Sequence, residues 1–259
     1  MLATLAVLVS LSATAPPLLA QAGGGGEVDV ELVLAVDVSR SMDYEEVRIQ
    51  RQGYVEALQH PDFINAVRGG LLGRVAIAYF EWAGTVDASS VIDWVAVETA
   101  EDANAFAARI AERPIQTQRR TSISAAIAEG ASMIVSNRFQ GMRQVIDVSG
   151  DGPNNVGQPV VSARDRALDA GIVINGLAIM IRPSGTFVPL DEYYGNCVTG
   201  GPGSFVLPVH DIKDFAVAVR RKLVLEISGI SPPPDYRRID YTEADCLIGE
   251  RQWQNFLDR

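Results

Sequence analysis

AVDVSRSMD, Ala35 to Asp43, leaves an apolar run through three oxygen-bearing side chains spaced two apart, Asp37, Ser39 and Ser41. Upstream, Val28 to Val38 is rich in Val and Leu, the composition of a strand buried on both faces. Downstream, Asp43 with Glu46 three positions on forms a capping box and opens a helix to Gln59. A buried strand delivered straight into a capped helix is the opening unit of an α/β sheet, and the remaining chain repeats it. His60-Pro61 ends the first helix and starts a short second one to Arg68. Arg74 to Trp82 reads as a strand and Val86 to Val97 as another. The connection between these two is so short that they must pair as a hairpin. Helices follow at Ala100 to Arg113 and Thr121 to Asn137, then a strand at Gln144 to Ser149. A helix at Pro159 to Ala170, a strand at Gly171 to Met180, a strand at Ser204 to Val209 and a helix at Asp211 to Ile227 complete the pattern. Arg182 to Gly203 reads as a long loop. The expected architecture is α/β, doubly wound, with a mostly parallel sheet, one antiparallel edge strand and helices on both faces.

The termini carry different signals. Leu2 to Ala15 is apolar, Pro16-Pro17 breaks the run, and Ala20-Gln21-Ala22 fits a small-x-small cleavage site. Residues 1–22 are therefore expected to be a secretory signal peptide, although no Lys or Arg precedes the apolar run. Residues 23–27 form a flexible leader, 28–229 the folded domain, and 230–259 a tail entered through Pro232-Pro233-Pro234. No later segment offers the ~18 apolar residues of a membrane span. The expected location is periplasmic or secreted. Two cysteines, Cys197 and Cys246, suit one disulfide in an exported protein, worth about 4 kcal/mol by loop closure. The alternative is two buried thiols. A formal net charge of −10 disfavours nucleic-acid binding.

In a doubly wound sheet, ligands collect where loops leave the carboxyl ends of the strands. Three oxygen-rich segments are expected there: Asp37, Ser39 and Ser41 after the first strand, Thr121 at the start of a helix, and Asp151 after the strand ending at Ser149. Each alone is explained by capping or turn chemistry. Together, two carboxylates and three hydroxyls form a hard-oxygen set suited to Mg²⁺ or Mn²⁺. Zinc is disfavoured, because His60 and His210 have no ligand partner at metal spacing. His60 reads as a helix-end residue and His210 as a cap-region or surface residue.

These motifs resemble those of the von Willebrand factor A-type domain, over about Val28 to Ile227. The marks are Asp37-Val38-Ser39-Arg40-Ser41, Thr121, and Asp151 within Gly150-Asp151-Gly152. Tyr79 to Gly84 (YFEWAG) and Gly200 to Val206 (GGPGSFV) further resemble an uncharacterised group of exported bacterial domains of this type. The resemblance implies a metal-ion-dependent adhesion site at Asp37, Ser39, Ser41, Thr121 and Asp151. It also implies a divalent cation and a protein partner whose acidic residue completes the metal's shell. Two features depart from the family: Arg119-Arg120 before the threonine, and Arg40 inside the first motif. These arginines compete with the cation, form a basic rim for acidic partners, or are simply solvated surface charges. Trp82 and Asn154 are further candidates for partner contact.

No G-x-S-x-G elbow or phosphate-binding loop is present, and no enzyme is expected. Two alternatives remain. Asp37 could accept a phosphoryl group in a Mg²⁺-dependent transfer, although Ser39 stands where such enzymes carry a second acid. The fold could also bind no metal.

Overall fold

The computed structural model describes residues 25–182, 188–230 and 244–258. The expected signal peptide, the triple proline and Gly23-Gly24 of the expected leader lie outside those residues. Six strands form one sheet: β1 (Gly26–Asp37), β2 (Val75–Trp82), β3 (Ile92–Val97), β4 (Phe139–Gly150), β5 (Val173–Ile179) and β6 (Val206–Val209). Their spatial order is β3-β2-β1-β4-β5-β6. All neighbours are parallel except β2 and β3, so the antiparallel strand sits at an edge, as the short connection required.

Helices cover both faces. On one lie α1 (Tyr44–Gln59), α2 (Pro61–Arg68), α3 (Ala100–Ala111) and α7 (Phe215–Ser228), packed on Leu32, Leu34, Ile77 and Val145. On the other lie α4 (Ile123–Ser136), α5 (Val160–Asp169) and the short α6 (Leu190–Tyr193), packed on Val33, Ala35, Phe80 and Ile146. The period-2 alternation of β1 divides its side chains between these two cores. A helix in the tail, α8 (Ile248–Leu257), follows the disulfide between Cys197 and Cys246.

Several boundaries differ from the sequence reading. β4 starts at Phe139 rather than Gln144, because β1 extends to Gly26 and pairs Gly26 with Phe139. That added half is partly exposed and lacks the apolar run that marks a buried strand. β3 begins only at Ile92, and Val86 makes an isolated bridge to Trp82. The 182–203 stretch is not all loop, since Leu190–Tyr193 runs on into a π-helical turn at Tyr194–Val198. The expected capping box of α1 is present, with Asp43 and Glu46 each accepting from the other's backbone N–H. His60 caps α2 by accepting from the Asp62 N–H, so its role is structural.

Candidate metal centre

β1 and β4 are neighbours whose continuations run to opposite sides of the sheet, so the order reverses between them. Their carboxyl ends open onto one crevice, where such folds collect ligands. Asp37 is the last residue of β1. Its backbone oxygen accepts a 2.6 Å hydrogen bond from Gln50 of α1, which ties the helix to the strand end. Its Oδ1 accepts from the Ser39 N–H at 2.7 Å. The Ser39 and Ser41 hydroxyls lie 2.8 Å apart, and the Ser41 hydroxyl donates to Asp151 Oδ1 at 2.6 Å. A chain of contacts thus links the first motif to the aspartate that follows β4.

Thr121 reaches the same place by a different route. The 115–120 segment runs beside the end of β1, where Arg40 N–H donates to Gln118 O and Gln118 N–H to Val38 O. Ser122, not Thr121, caps α4, accepting from the Ala125 N–H. Thr121 is thereby left outside the helix, and it lines a cavity of about 290 Å³ together with Ser41 and Asp151. Asn155 clamps it from both sides: Asn155 Oδ1 accepts from Thr121 N–H at 2.9 Å, and Asn155 N–H donates to Thr121 O at 2.8 Å. Arg120, the neighbour of Thr121, holds φ at 73°, the sole non-glycine with positive φ among the described residues. Strain of this kind persists only where surrounding contacts enforce it.

The electrostatics are unfavourable for two bare carboxylates. Asp37 is fully buried, and among the described residues its Oδ2 has no hydrogen-bond partner. Burial and the charge of Asp151 push its carboxyl well above the usual range, although nearby backbone N–H groups of Ser39 and Asp151 ease the charge. Asp151 is also raised by burial and by Glu46, opposed by the Ser41 hydroxyl and Arg182. Oδ2 of Asp37 faces bare Gly150: a Cβ there would come within 2.9 Å of it and 2.6 Å of the Tyr194 hydroxyl. Any larger residue would fill the space beside the carboxylate. Among the described residues no three His, Cys, Asp or Glu side chains converge as a metal cage. The set here is two carboxylates with hydroxyls, which fits a hard cation keeping part of its water shell and does not suit a closed zinc site.

Of the residues expected at a partner interface, two are corrected. Trp82 is 0% exposed, because it ends β2 inside the core under α4. Asn154 is also 0% exposed and acts as a brace. Its Oδ1 accepts from Ser124 N–H, and its Nδ2 donates to Gln158 O and Glu250. Arg40, Arg119 and Arg120 are exposed at the rim. Three further participants carried no sequence signal. Arg182 donates to Ser41 O at 3.0 Å and pairs with Asp43 and Glu46, holding the serine loop. Tyr194 buries its hydroxyl beside Asp37, without a hydrogen-bond partner among the described residues. The helix α8 reaches the rim through Gln252.

Residues 27–231 match a family described as "Protein of unknown function (DUF1194)". No curated protein matches the chain. Proximal thread matrix protein 1 from the mussel byssus is similar in structure, with a TM-score of 0.58 at 14% identity, over 78% of this chain and 48% of that one. The chain thus spans about half the mussel protein's length. The mussel protein has also been solved with a zinc-occupied MIDAS motif. A von Willebrand factor type A protein from Catenulispora acidiphila gives 0.53 at 14% identity, over 78% of this chain and 43% of that one. BatB from Bacteroides thetaiotaomicron gives 0.52 at 16% identity, over 78% of this chain and all of that one. The fold is that of a von Willebrand factor A-type domain. Such likeness establishes architecture, and the site must be argued from its own residues.

Proposed function

We propose, for a chain that belongs to the DUF1194 family of unknown function, that it is an exported binding module holding one divalent cation at the carboxyl edge of its sheet and recruiting a protein partner through that ion. The observation that carries this reading is the buried Oδ2 of Asp37, which has no hydrogen-bond partner among the described residues and interacts with the charge of a second carboxylate, Asp151. An isolated buried charge is costly unless something compensates it. Asp37, Ser39, Ser41, Thr121 and Asp151 would hold Mg²⁺ or Mn²⁺, directly or through water. When bound, the cation supplies positive charge that offsets the two carboxylates and leaves a coordination position for an outside carboxylate. Arg40, Arg119 and Arg120 at the rim would steer an acidic partner in an otherwise acidic protein. The mussel protein with its zinc-occupied motif supports the idea that this fold accepts a cation at such a position.

Burial of Asp37 argues against phosphoryl transfer, because an acceptor carboxylate must meet the phosphorus in line and Asp37 is 0% exposed. The disulfide supports work in an oxidising compartment, in accord with the apolar N-terminal segment.

A single variant tests the cation reading with opposite signs in two conditions. In EDTA, Asp37→Asn keeps the acceptor for Ser39 N–H and removes one of two repelling charges. It is expected to raise stability by about 1–2 kcal/mol, roughly 2–8 °C in Tm. Mg²⁺ at a hundredfold excess over Kd should stabilise the wild type by about 2.7 kcal/mol and leave Asp37→Asn unmoved. Thermal melts of both proteins in EDTA, Mg²⁺ and Mn²⁺ read this out. A wild type indifferent to all three would favour the fold without metal.

A further inference from the structure

The helix α8 lies beyond the residues matched to the family and is nevertheless built into the rim of the cation site. Three independent contacts hold it there. The disulfide anchors Cys246, just before the helix, to the fully buried Cys197. Glu250 accepts from Asn154, the brace of the Asp151 loop, at 2.7 Å. Trp253 receives the guanidinium of Arg120 over its ring at 4.7 Å, next to the strained backbone that presents Thr121. Further along, Trp253 and Phe256 stack with ring centroids 5.5 Å apart, and Phe256 is 68% exposed.

Pro153, Asn155 and Gln252 are walls common to two cavities. One, of about 290 Å³, has Ser41, Thr121 and Asp151 in its wall beside the apolar Ile49, Ile179 and Phe215. The other, of about 300 Å³, is lined by Trp253 and Phe256. The oxygen set and the aromatic pair therefore lie on either side of one shared wall, and the exposed Arg120 lies over the Trp253 ring. Resting on the cation reading above, we infer that α8 is the second half of the partner-binding face, and that the occupant is an acidic peptide segment with a large apolar side chain beside its metal-seeking carboxylate. Charge complementarity argues for this occupant: the rim arginines and the cation attract acid, and an aromatic floor next to them rewards an apolar neighbour. Phe256 is exposed and Trp253 half-buried on a cross-linked helix, so the pair loses little conformational freedom on binding.

The probe is a panel of immobilised hexapeptides carrying one Glu flanked by Phe or Leu, or by Ser, assayed with the full disulfide-bonded chain in Mg²⁺ and in EDTA. The wild type should retain the Phe and Leu peptides at least about tenfold better than the Ser peptides, the factor one buried apolar side chain brings. Trp253→Ala/Phe256→Ala should erase that preference while keeping Mg²⁺-dependent retention of Glu. Phe256→Ser, at an exposed position, should reduce the preference without disturbing the fold. A preference that survives in both variants overturns the role of α8 and leaves the cation reading standing. Retention of the Phe and Leu peptides no better than the Ser peptides, or absent altogether, also overturns it. Loss of Mg²⁺ dependence with the aromatic preference intact would instead strike the cation reading.

Discussion

Replacing Lys222 by methionine is expected to cost about 3–5 kcal/mol at pH 8, the range for removing one partner of a buried ion group, or roughly 6–20 °C in Tm. Lys222 sits on α7 with no exposure, facing two equally buried carboxylates. Its ammonium pairs with Asp147 of β4 at 2.6 Å and with Glu226 one helical turn on. Asn175 of β5 donates to the same Glu226 oxygen at 3.1 Å. Arg143 of β4 and Tyr54 of α1 complete the charged and titratable surroundings. Lys222 is the cation that pairs directly with both carboxylates, and one ammonium does not fully offset two buried anions. Burial, and then the charge of Asp147, push Glu226 up to about 7 from an ordinary 4.5. Asp147 is raised as well, by burial against the opposing Lys222.

Between those two values the native state binds more protons at Glu226 than the unfolded chain does. Its contribution is therefore full below about pH 4.5 and lost as pH rises through about 7. The wild type should be more stable at pH 5 than at pH 8 through this group, and Glu226→Gln should flatten that slope. Lys222→Met should be less damaging at pH 5, where Glu226 is neutral. Urea unfolding of the three proteins at the two pH values measures this. A Lys222→Met penalty below about 1 kcal/mol, equal at both pH values, would mean that the trio carries no such charge balance.

The second large effect concerns the tail. Cys246→Ala leaves Cys197 as a buried thiol, which packs as a small apolar group. The two cysteines lie 49 positions apart, and closing a loop of that size contributes about 4 kcal/mol in the chain-entropy account. The loss should be concentrated in α8, whose other ties to the domain include the Glu250–Asn154 hydrogen bond and the Arg120–Trp253 contact. Elements with few contacts open before the core does. Trypsin should then cut after Arg251 while the sheet domain stays intact, and overall stability should fall by about 2–4 kcal/mol. An unchanged Tm with Arg251 still protected would show that α8 docks without its tether.

Much of the fold could be read from the chain because each buried strand announces itself twice. Val-Leu runs such as Val30 to Val36 mark a strand covered on both faces, and Asp43 with Glu46 marks the helix that follows. The edge hairpin was legible from the short connection around Gly84. The first half of β4 was not, since Phe139 to Arg143 is half exposed and pairs only with the polar start of β1. At the site, oxygen type and spacing singled out Asp37, Ser39, Ser41, Thr121 and Asp151. What they could not reveal was orientation. Trp82 looked like a surface ring at a strand end, yet the sheet continues into a bridge that buries it. Asn154 looked like a rim residue, yet its amide serves α4, its own loop and α8 at once. Arg182 and α8 reach the site through tertiary packing alone, which leaves no periodic trace in the sequence.

The central claim is best tested by locating the ion itself. Crystals soaked in MnCl₂, with data collected near the manganese edge, should show one anomalous peak in the crevice between β1 and β4. It should lie about 2.1 Å from the Ser39 and Ser41 hydroxyls and disappear in Asp37→Asn. No peak there at millimolar Mn²⁺, or peaks confined to surface carboxylates, would contradict the account.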